Sequence, residues 1–266
     1  MPLDRSLISS LPIFAGLGGE DLDAILSRAR SSRFAKDSEI FAQEEEARSF
    51  YLLLSGHIRV VQTTPEGHQV VARYINEGEL FGIAIVMGRT TYPATAVAAV
   101  DCVVLSWPNN VWAELQSRFP TFGTSAYKTI GARLQETQTQ VMEMSTQQVE
   151  QRIAHALLRL VSQSGRKTDD GIEIDFPITR QDIAEMTGTT LHTVSRLLSA
   201  WEDEGIVRGG RQKVTVKDPH ALMLVAENRR RKQQGAVAPV ASRAAYFRRL
   251  FSATSIRACG SFTVTF

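Results

Sequence analysis

Apolar residues are spaced in three distinct ways along the chain. Across residues 11–30 the set Leu11, Phe14, Leu17, Leu22, Ile25 and Leu26 has the spacing of a short amphipathic helical entry. From Ser32 to Trp107 the pattern changes to short runs separated by Gly, Pro and acidic turns: "SEIFA", "SFYLLLSGHIRVVQ", "GHQVVARYI", "LFGIAIV" and "TAVAAVDCVVLSW". Runs of this length with no helical pattern between them predict an antiparallel barrel or roll, with "TTPEGHQ" at a hairpin tip. Pro108 ends the β section and "NNVWAELQSRF" begins helices. After Pro120 the positions Phe122, Ala126, Ile130, Leu134, Val141 and Met144 form a stripe that becomes 4-3-4-3 when Thr137 is counted. That spacing predicts a helix over residues 121–144, about 36 Å long, and its length and low charge favour a two-chain coiled coil.

The stretch from Thr179 to Glu202 carries two helical patterns joined by a tight turn. Thr179 is a good N-cap with Asp182 three residues on, and Ile183, Ala184 and Met186 give an apolar face before Thr187-Gly188-Thr189. The second helix starts at Thr190 or Leu191, with Val194, Leu197, Leu198 and Trp201 as its buried stripe and His192, Ser195, Arg196 and Ser199 opposite. Two helices around a three-residue Gly turn are the helix-turn-helix arrangement, whose second helix enters the DNA major groove. "GIVRGGRQKVTVKD" then reads as a hairpin, which makes the unit a winged helix-turn-helix. The bland alternative is an αα-hairpin with a solvated face, but a guanidinium among small hydroxyls suits base edges better than a Glu/Lys mixture would.

Composition adds little until charge is placed along the chain. The 266 residues suffice for two domains with real cores, and the formal net charge is +2. Residues 227–266 hold eight Lys/Arg against Glu227, a local +7, so residues 1–226 are at −5 and DNA binding needs a local basic patch. The tail reads as a disordered basic extension, or as an extra phosphate-binding arm. No apolar run is long enough to span a membrane and "MPLDRSLISSLPIF" lacks the pattern of a signal peptide, so a cytoplasmic location without membrane partners is expected. Only Cys102 and Cys259 are present; Cys102 reads as a small core residue. No phosphate-cradling Gly loop, metal-spaced set or nucleophile elbow is visible, so neither catalytic residues nor metal ligands are assigned and an enzyme is not expected.

Taken together, "FYLLLSGHIRVVQTTPEGHQ", "GELFG" (Gly78–Gly82) and "ITRQDIAEMTGTTLHTVSRLL", in this order, resemble the CRP/FNR superfamily of bacterial transcription regulators over roughly residues 10–226. The resemblance implies an α+β architecture. It has an N-terminal antiparallel β-roll (cyclic-nucleotide-binding-like, a jelly roll) over residues 1–120, a dimerisation helix over 121–145, a winged helix-turn-helix over 146–226 and the basic tail over 227–266. It further implies a homodimer on a palindromic operator in double-stranded DNA, with RNA polymerase as a partner. Asp37-Ser38 and Glu44-Glu45 depart from the family where relatives usually carry turn glycines.

The effector is read from a second set of departures. Cyclic-nucleotide-binding members follow "GELFG" with a Glu for the ribose and an Arg-Ser pair for the phosphate; the matching positions here are Ile83 and Tyr92-Pro93. A buried phosphate without its guanidinium loses a charge-assisted contact, so cyclic AMP is not the expected effector, and Thr137, at the position that faces the adenine, does not restore it. Residues 1–30 hold no cysteine, which excludes the iron–sulfur cluster of the oxygen-sensing branch. With "YPATAVAAV" in the anchor's place the chain resembles the DNR/NnrR branch, whose members respond to nitric oxide and are associated with haem. Candidate axial ligands are His57, His68, Met87, Tyr92 and the Pro2 amine, though a surface role is the plainer reading of both histidines. The effector pocket is expected from Leu80, Phe81, Gly82, Ile83, Tyr92, Leu134 and Thr137 between roll and dimer helix.

By position in the family motif, Leu191, His192, Ser195 and Arg196 face the groove, Arg196 as a fork onto guanine O6 and N7. His192 stands where the family usually has Glu, which removes an acceptor for cytosine N4. Thr179, Arg180 and Gln181, at the start of the preceding helix, are expected on phosphate. The competing function is a nucleotide-binding regulatory module that signals to a protein partner; the helix-turn-helix argues against it.

Overall fold

The computed structural model describes residues 8–228, so Pro2, Cys259 and nearly all of the basic tail lie outside it. The N-terminal unit opens with a 3-10 turn, Pro12–Phe14, and helix α1 (Gly19–Leu26). Eight strands follow: β1 (Arg30–Phe34), β2 (Glu39–Phe41), β3 (Ser49–Ser55), β4 (Ile58–Thr63), β5 (Gln69–Ile75), β6 (Leu80–Phe81), β7 (Thr95–Ala98) and β8 (Cys102–Pro108). They form two antiparallel four-stranded sheets, ordered β1-β8-β3-β6 and β2-β7-β4-β5, which face each other as a jelly roll. The expected runs 49–62 and 95–107 each divide into two strands, one going to each sheet. Only Leu80–Phe81 of "LFGIAIV" is strand; Ala84–Met87 coils into a 3-10 turn, because Gly82 adopts φ +60 and reverses the chain. A Cβ at Gly82 would lie 2.8 Å from Tyr51 Cδ2 and 3.0 Å from Phe41 Cε1, so no side chain fits there.

Two apolar clusters fill the unit. One, between the first sheet and the helices, gathers Phe14, Phe50, Trp107, Trp112 and Phe122; Trp107 Nε1 donates to Ile25 O at 2.9 Å, satisfying its one polar atom. The other, between the sheets, stacks Phe41, Tyr51, Phe81 and Tyr92, with Phe41 and Tyr92 ring centroids 3.8 Å apart. Asp37 (φ 65) and Glu44 (φ 62) take left-handed backbone without being glycine, at the two turns where the family resemblance leads to an expectation of glycine.

Helix α2 (Trp112–Arg118) leads into the long α3 (Pro120–Thr146), and α4 (Val149–Ser164) follows after Gln147 turns the chain extended. The helix α4 and the hairpin of β9 (Gly165–Thr168) and β10 (Gly171–Ile174) were not anticipated from sequence. Beyond them come α5 (Arg180–Thr187), α6 (Leu191–Asp203), β11 (Val207–Gly210), β12 (Lys213–Val216) and α7 (Pro219–Ala226). The wing is wider than the sequence suggests: β11 and β12 join the earlier hairpin in one sheet, β11-β12-β10-β9. The C-terminal core of Ile153, Leu157, Ile183, Val194, Leu198 and Trp201 continues onto Val61, Val71 and Tyr74 of the roll, so the two units share an apolar contact.

Candidate nucleic-acid interface and effector site

Capping builds the reader. Thr179 Oγ1 accepts from Asp182 N at 3.0 Å while Asp182 Oδ2 accepts from Thr179 N at 2.8 Å, a reciprocal box that starts α5. Gly188 (φ +60) ends it, and Thr190 Oγ1 accepts from Thr193 N to start α6. Val194, Leu198 and Trp201 bury one face of α6 almost completely. The opposite face shows Leu191, His192, Arg196 and Ser199 to solvent, with Ser195 half-buried among them. The four groove residues read from sequence therefore share one exposed surface.

The three residues expected on phosphate sit at the neighbouring helix start, with different freedom. Gln181 is exposed and its Nε2 donates to Glu185 Oε1 at 2.9 Å; Thr179 is half-buried and committed to the cap. Arg180 Nη2 lies 3.3 Å from Glu202 Oε1 on α6. Gly209 of the wing makes room for that carboxylate, since a Cβ there would lie 2.2 Å from Glu202 Oε1. Among the wing's cations, Arg208 pairs with Asp170 at 2.6 Å and Lys213 with Glu173 at 3.3 Å, while Arg211 stands exposed in the turn. Arg211 was missed from sequence; its place between two short β runs was the available signal.

The structure does not bring the seven expected pocket residues together. Leu80 and Ile83 pack into the cluster beneath the helices, and Phe81 and Tyr92 into the cluster between the sheets, as the period-two alternation of β6 requires. Leu134 is 59% exposed and Thr137 is exposed on the outer face of α3. Tyr92 fills the roll at the position that the family resemblance matches to a phosphate anchor: its hydroxyl donates to Ser49 O at 2.7 Å and accepts from Ser49 N at 3.2 Å. Burial, first, and its Tyr51 neighbour hold that hydroxyl well above the usual tyrosine pKa, so it stays neutral.

A charged cluster instead occupies the junction of roll and α3. Arg73 Nη2 lies 2.9 Å from Glu79 Oε2 and its Nη1 3.4 Å from Glu136 Oε2, and Arg133 donates to Leu80 O. Burial, with Arg73 nearby, pushes the Arg133 guanidinium down to about 10, so it remains charged at neutral pH. The described candidates for a haem ligand are each exposed or engaged elsewhere. His57 Nδ1 is 3.2 Å from Asn76 Oδ1 with its ring 4.7 Å from that of Phe176, His68 lies at the exposed hairpin tip, Met87 is exposed and the Tyr92 hydroxyl is engaged. Pro2 is outside the described residues.

Along α3 the expected seam divides. Phe122 and Ala126 are fully buried in the chain's own core and Ile130 packs against it, whereas Leu134, Val141 and Met144 are exposed. Tyr127, not anticipated, is 47% exposed and stands seven residues before Leu134, which stands seven before Val141. Phe122 and Ala126 turn inward into the apolar cluster, whereas the later turns meet the roll through the charged side chains Arg133 and Glu136 and leave their apolar line outside.

Comparison with known proteins agrees with this arrangement. Residues 31–119 match the cyclic nucleotide-binding domain and residues 151–225 the Crp-like helix-turn-helix domain. The chain is 30% identical to the cyclic AMP receptor protein of Thermus thermophilus over 215 residues, 81% of this chain and 96% of that one. It is 26% identical to the nitrogen fixation regulation protein FixK of Azorhizobium caulinodans, over 84% and 89% of the two chains. In three dimensions it resembles FixK2 of Bradyrhizobium japonicum (TM-score 0.66, 20% identity, 79% and 99% covered). It also resembles the CRP-family regulator TTHB099 of Thermus thermophilus (TM-score 0.63, 26% identity, 74% and 96% covered). Among the described residues no helix is long and apolar enough to cross a membrane. The chain belongs to the CRP/FNR family of transcriptional regulators, with a cyclic nucleotide-binding-type roll and a Crp-like helix-turn-helix.

Proposed function

We propose that the protein is a homodimeric, sequence-specific DNA-binding regulator that reads a palindromic operator and acts on RNA polymerase, gated through its roll by an effector other than cyclic AMP. The exposed Leu191, His192, Ser195, Arg196 face carries this reading. It lies on a helix whose other side is buried, and it adjoins a helix N-terminus suited to phosphate. Dimerisation is supported by Tyr127, Leu134 and Val141, an apolar line spaced by seven residues and extended by Met144 three residues on, that one chain leaves exposed. The exclusion of cyclic AMP rests on Ile83 and Tyr92, both buried in apolar clusters and neither able to pair with a phosphate.

Selection of duplexes from a random library by the purified protein, followed by anisotropy titration, tests the DNA reading; recovery of one palindrome is expected, and recovery of none refutes it. Calorimetry with cyclic AMP at millimolar levels tests the effector reading. No saturable heat is expected, and micromolar binding would overturn it.

A further inference from the structure

The reader domain sits on part of the outer face of β4 and β5, leaving the hairpin end exposed. Val61, Val71 and Tyr74 are buried among the reader's apolar residues, and the Phe176 ring packs against both Tyr74 (4.3 Å) and His57 (4.7 Å). Ser164, at the end of α4, hydrogen-bonds Asn76. Contacts of this apolar kind are non-directional and tolerate sliding. The Ser164–Asn76 hydrogen bond is directional, and so is an ion pair. Arg59 Nη1 on β4 lies 2.6 Å from Asp182 Oδ1, and the Asp182 side chain is only 5% exposed.

Asp182 is placed to convert that contact into orientation. Its second oxygen, Oδ2, accepts from both Thr179 N (2.8 Å) and Thr179 Oγ1 (2.6 Å), so one carboxylate holds the start of α5 with one oxygen and the sensory roll with the other. Through the Gly188 turn α5 is joined to α6, which carries the groove face. A buried carboxylate deprived of its cation is costly, so a shift of the reader on the roll that separates Arg59 from Asp182 is disfavoured.

We propose that Arg59, a roll residue outside the exposed groove face, is a positioning residue for DNA recognition: through Asp182 it fixes where the reader sits on the roll, and so sets the half-site spacing that the dimer accepts. This rests on the reading of the chain as a dimeric DNA-binding regulator, because two readers held rigidly on one dimer accept only one separation of their half-sites.

The test uses full-length protein and the palindrome it selects, in duplexes whose central spacer is shortened by one base pair, unchanged, or lengthened by one or two, beside a duplex with a single half-site. Wild type should show a sharp optimum at the unchanged spacer. Arg59→Ala should lose affinity for that optimum by roughly ten-fold, within the usual range of coupling between sites, and flatten the spacing profile, while single half-site affinity stays within about two-fold. Asp182→Asn, which keeps an acceptor for the Thr179 amide, should flatten it in the same way. The double variant should lose nothing further, and Arg59→Lys should restore most of the optimum. An Arg59→Ala protein with an unaltered profile overturns the proposal, as does an equal loss on palindrome and half-site. If Arg59→Ala does not fold, Asp182→Asn and Arg59→Lys decide by the same criteria. A wild type that binds the half-site but shows no spacing optimum refutes the dimeric reading and this inference with it.

Discussion

Arg180 Nη2 lies 3.3 Å from Glu202 Oε1, joining the first turn of α5 to the recognition helix α6. Both side chains are about a third exposed, so the pair is worth no more than ~1 kcal/mol and a phosphate can replace the carboxylate. Arg180→Ala should therefore weaken binding to all duplexes alike and lower the salt slope by roughly one unit. Glu202→Gln, which frees the guanidinium, should raise affinity for all duplexes by up to about five-fold. Anisotropy at several salt concentrations measures both; a change confined to one base sequence would contradict a phosphate role.

The α3 seam predicts its own failure. Leu134→Lys with Val141→Lys puts four like charges into a two-chain interface while leaving the roll's core untouched. Sedimentation should show a monomer of unchanged far-ultraviolet spectrum. Ile130 is the wrong site for this test because it packs against the chain's own core. A dimer that survives the double substitution would move the interface elsewhere.

His57 makes the contact between roll and reader sensitive to acid. Burial is the main cause holding its pKa below the ordinary 6.5, outweighing the Asn76 hydrogen bond and the nearby carboxylates of Asp175, Glu77 and Glu79. In the native protein the ring is neutral where the unfolded chain already binds a proton. Stability is thus intact above pH 6.5 and falls as pH drops below it, by at most about 1.4 kcal/mol per pH unit, until the folded ring also protonates. Denaturation midpoints across pH 5–8 should show this loss in wild type and much less of it in His57→Gln. Equal curves would mean His57 does not titrate differently on folding.

Glu44 occupies left-handed backbone (φ 62) at a turn closed by its own N–H on Tyr92 O at 2.9 Å. Glu44→Gly relieves that conformation and should stabilise the protein by up to about 1 kcal/mol, offset in part by the freer unfolded chain. Chemical denaturation checks this. A net loss would show that the Thr91 Oγ1 bond to the Glu44 carboxylate, 3.2 Å in length, matters more than the strain.

The reader was legible in the sequence because its signals are local: Thr179, Asp182 and Gly188 set helix ends, and the 3.6-residue period set the buried face. The roll was legible as a texture of short strands, but not which sheet each strand joins, since that is a tertiary choice. The residues expected at the pocket divide between two clusters because Leu80 and Phe81 are neighbours in sequence and opposite in direction on a strand. Arg59 and Asp182 are 123 residues apart, and no periodicity links them. The hairpin β9–β10 hid in a polar stretch whose order comes from pairing with the wing, another long-range choice.

The central claim, that α6 reads bases, is tested most directly by affinities of wild type and Arg196→Ala for the selected operator and for the same duplex with each candidate guanine replaced, measured at several salt concentrations. If Arg196 forks onto a guanine, the substitution costs about 1–3 kcal/mol on the operator, and replacing that guanine adds little further loss in the variant. Fully additive losses at every guanine would contradict base reading by Arg196 and require the groove-facing surface of the helix to be reassigned.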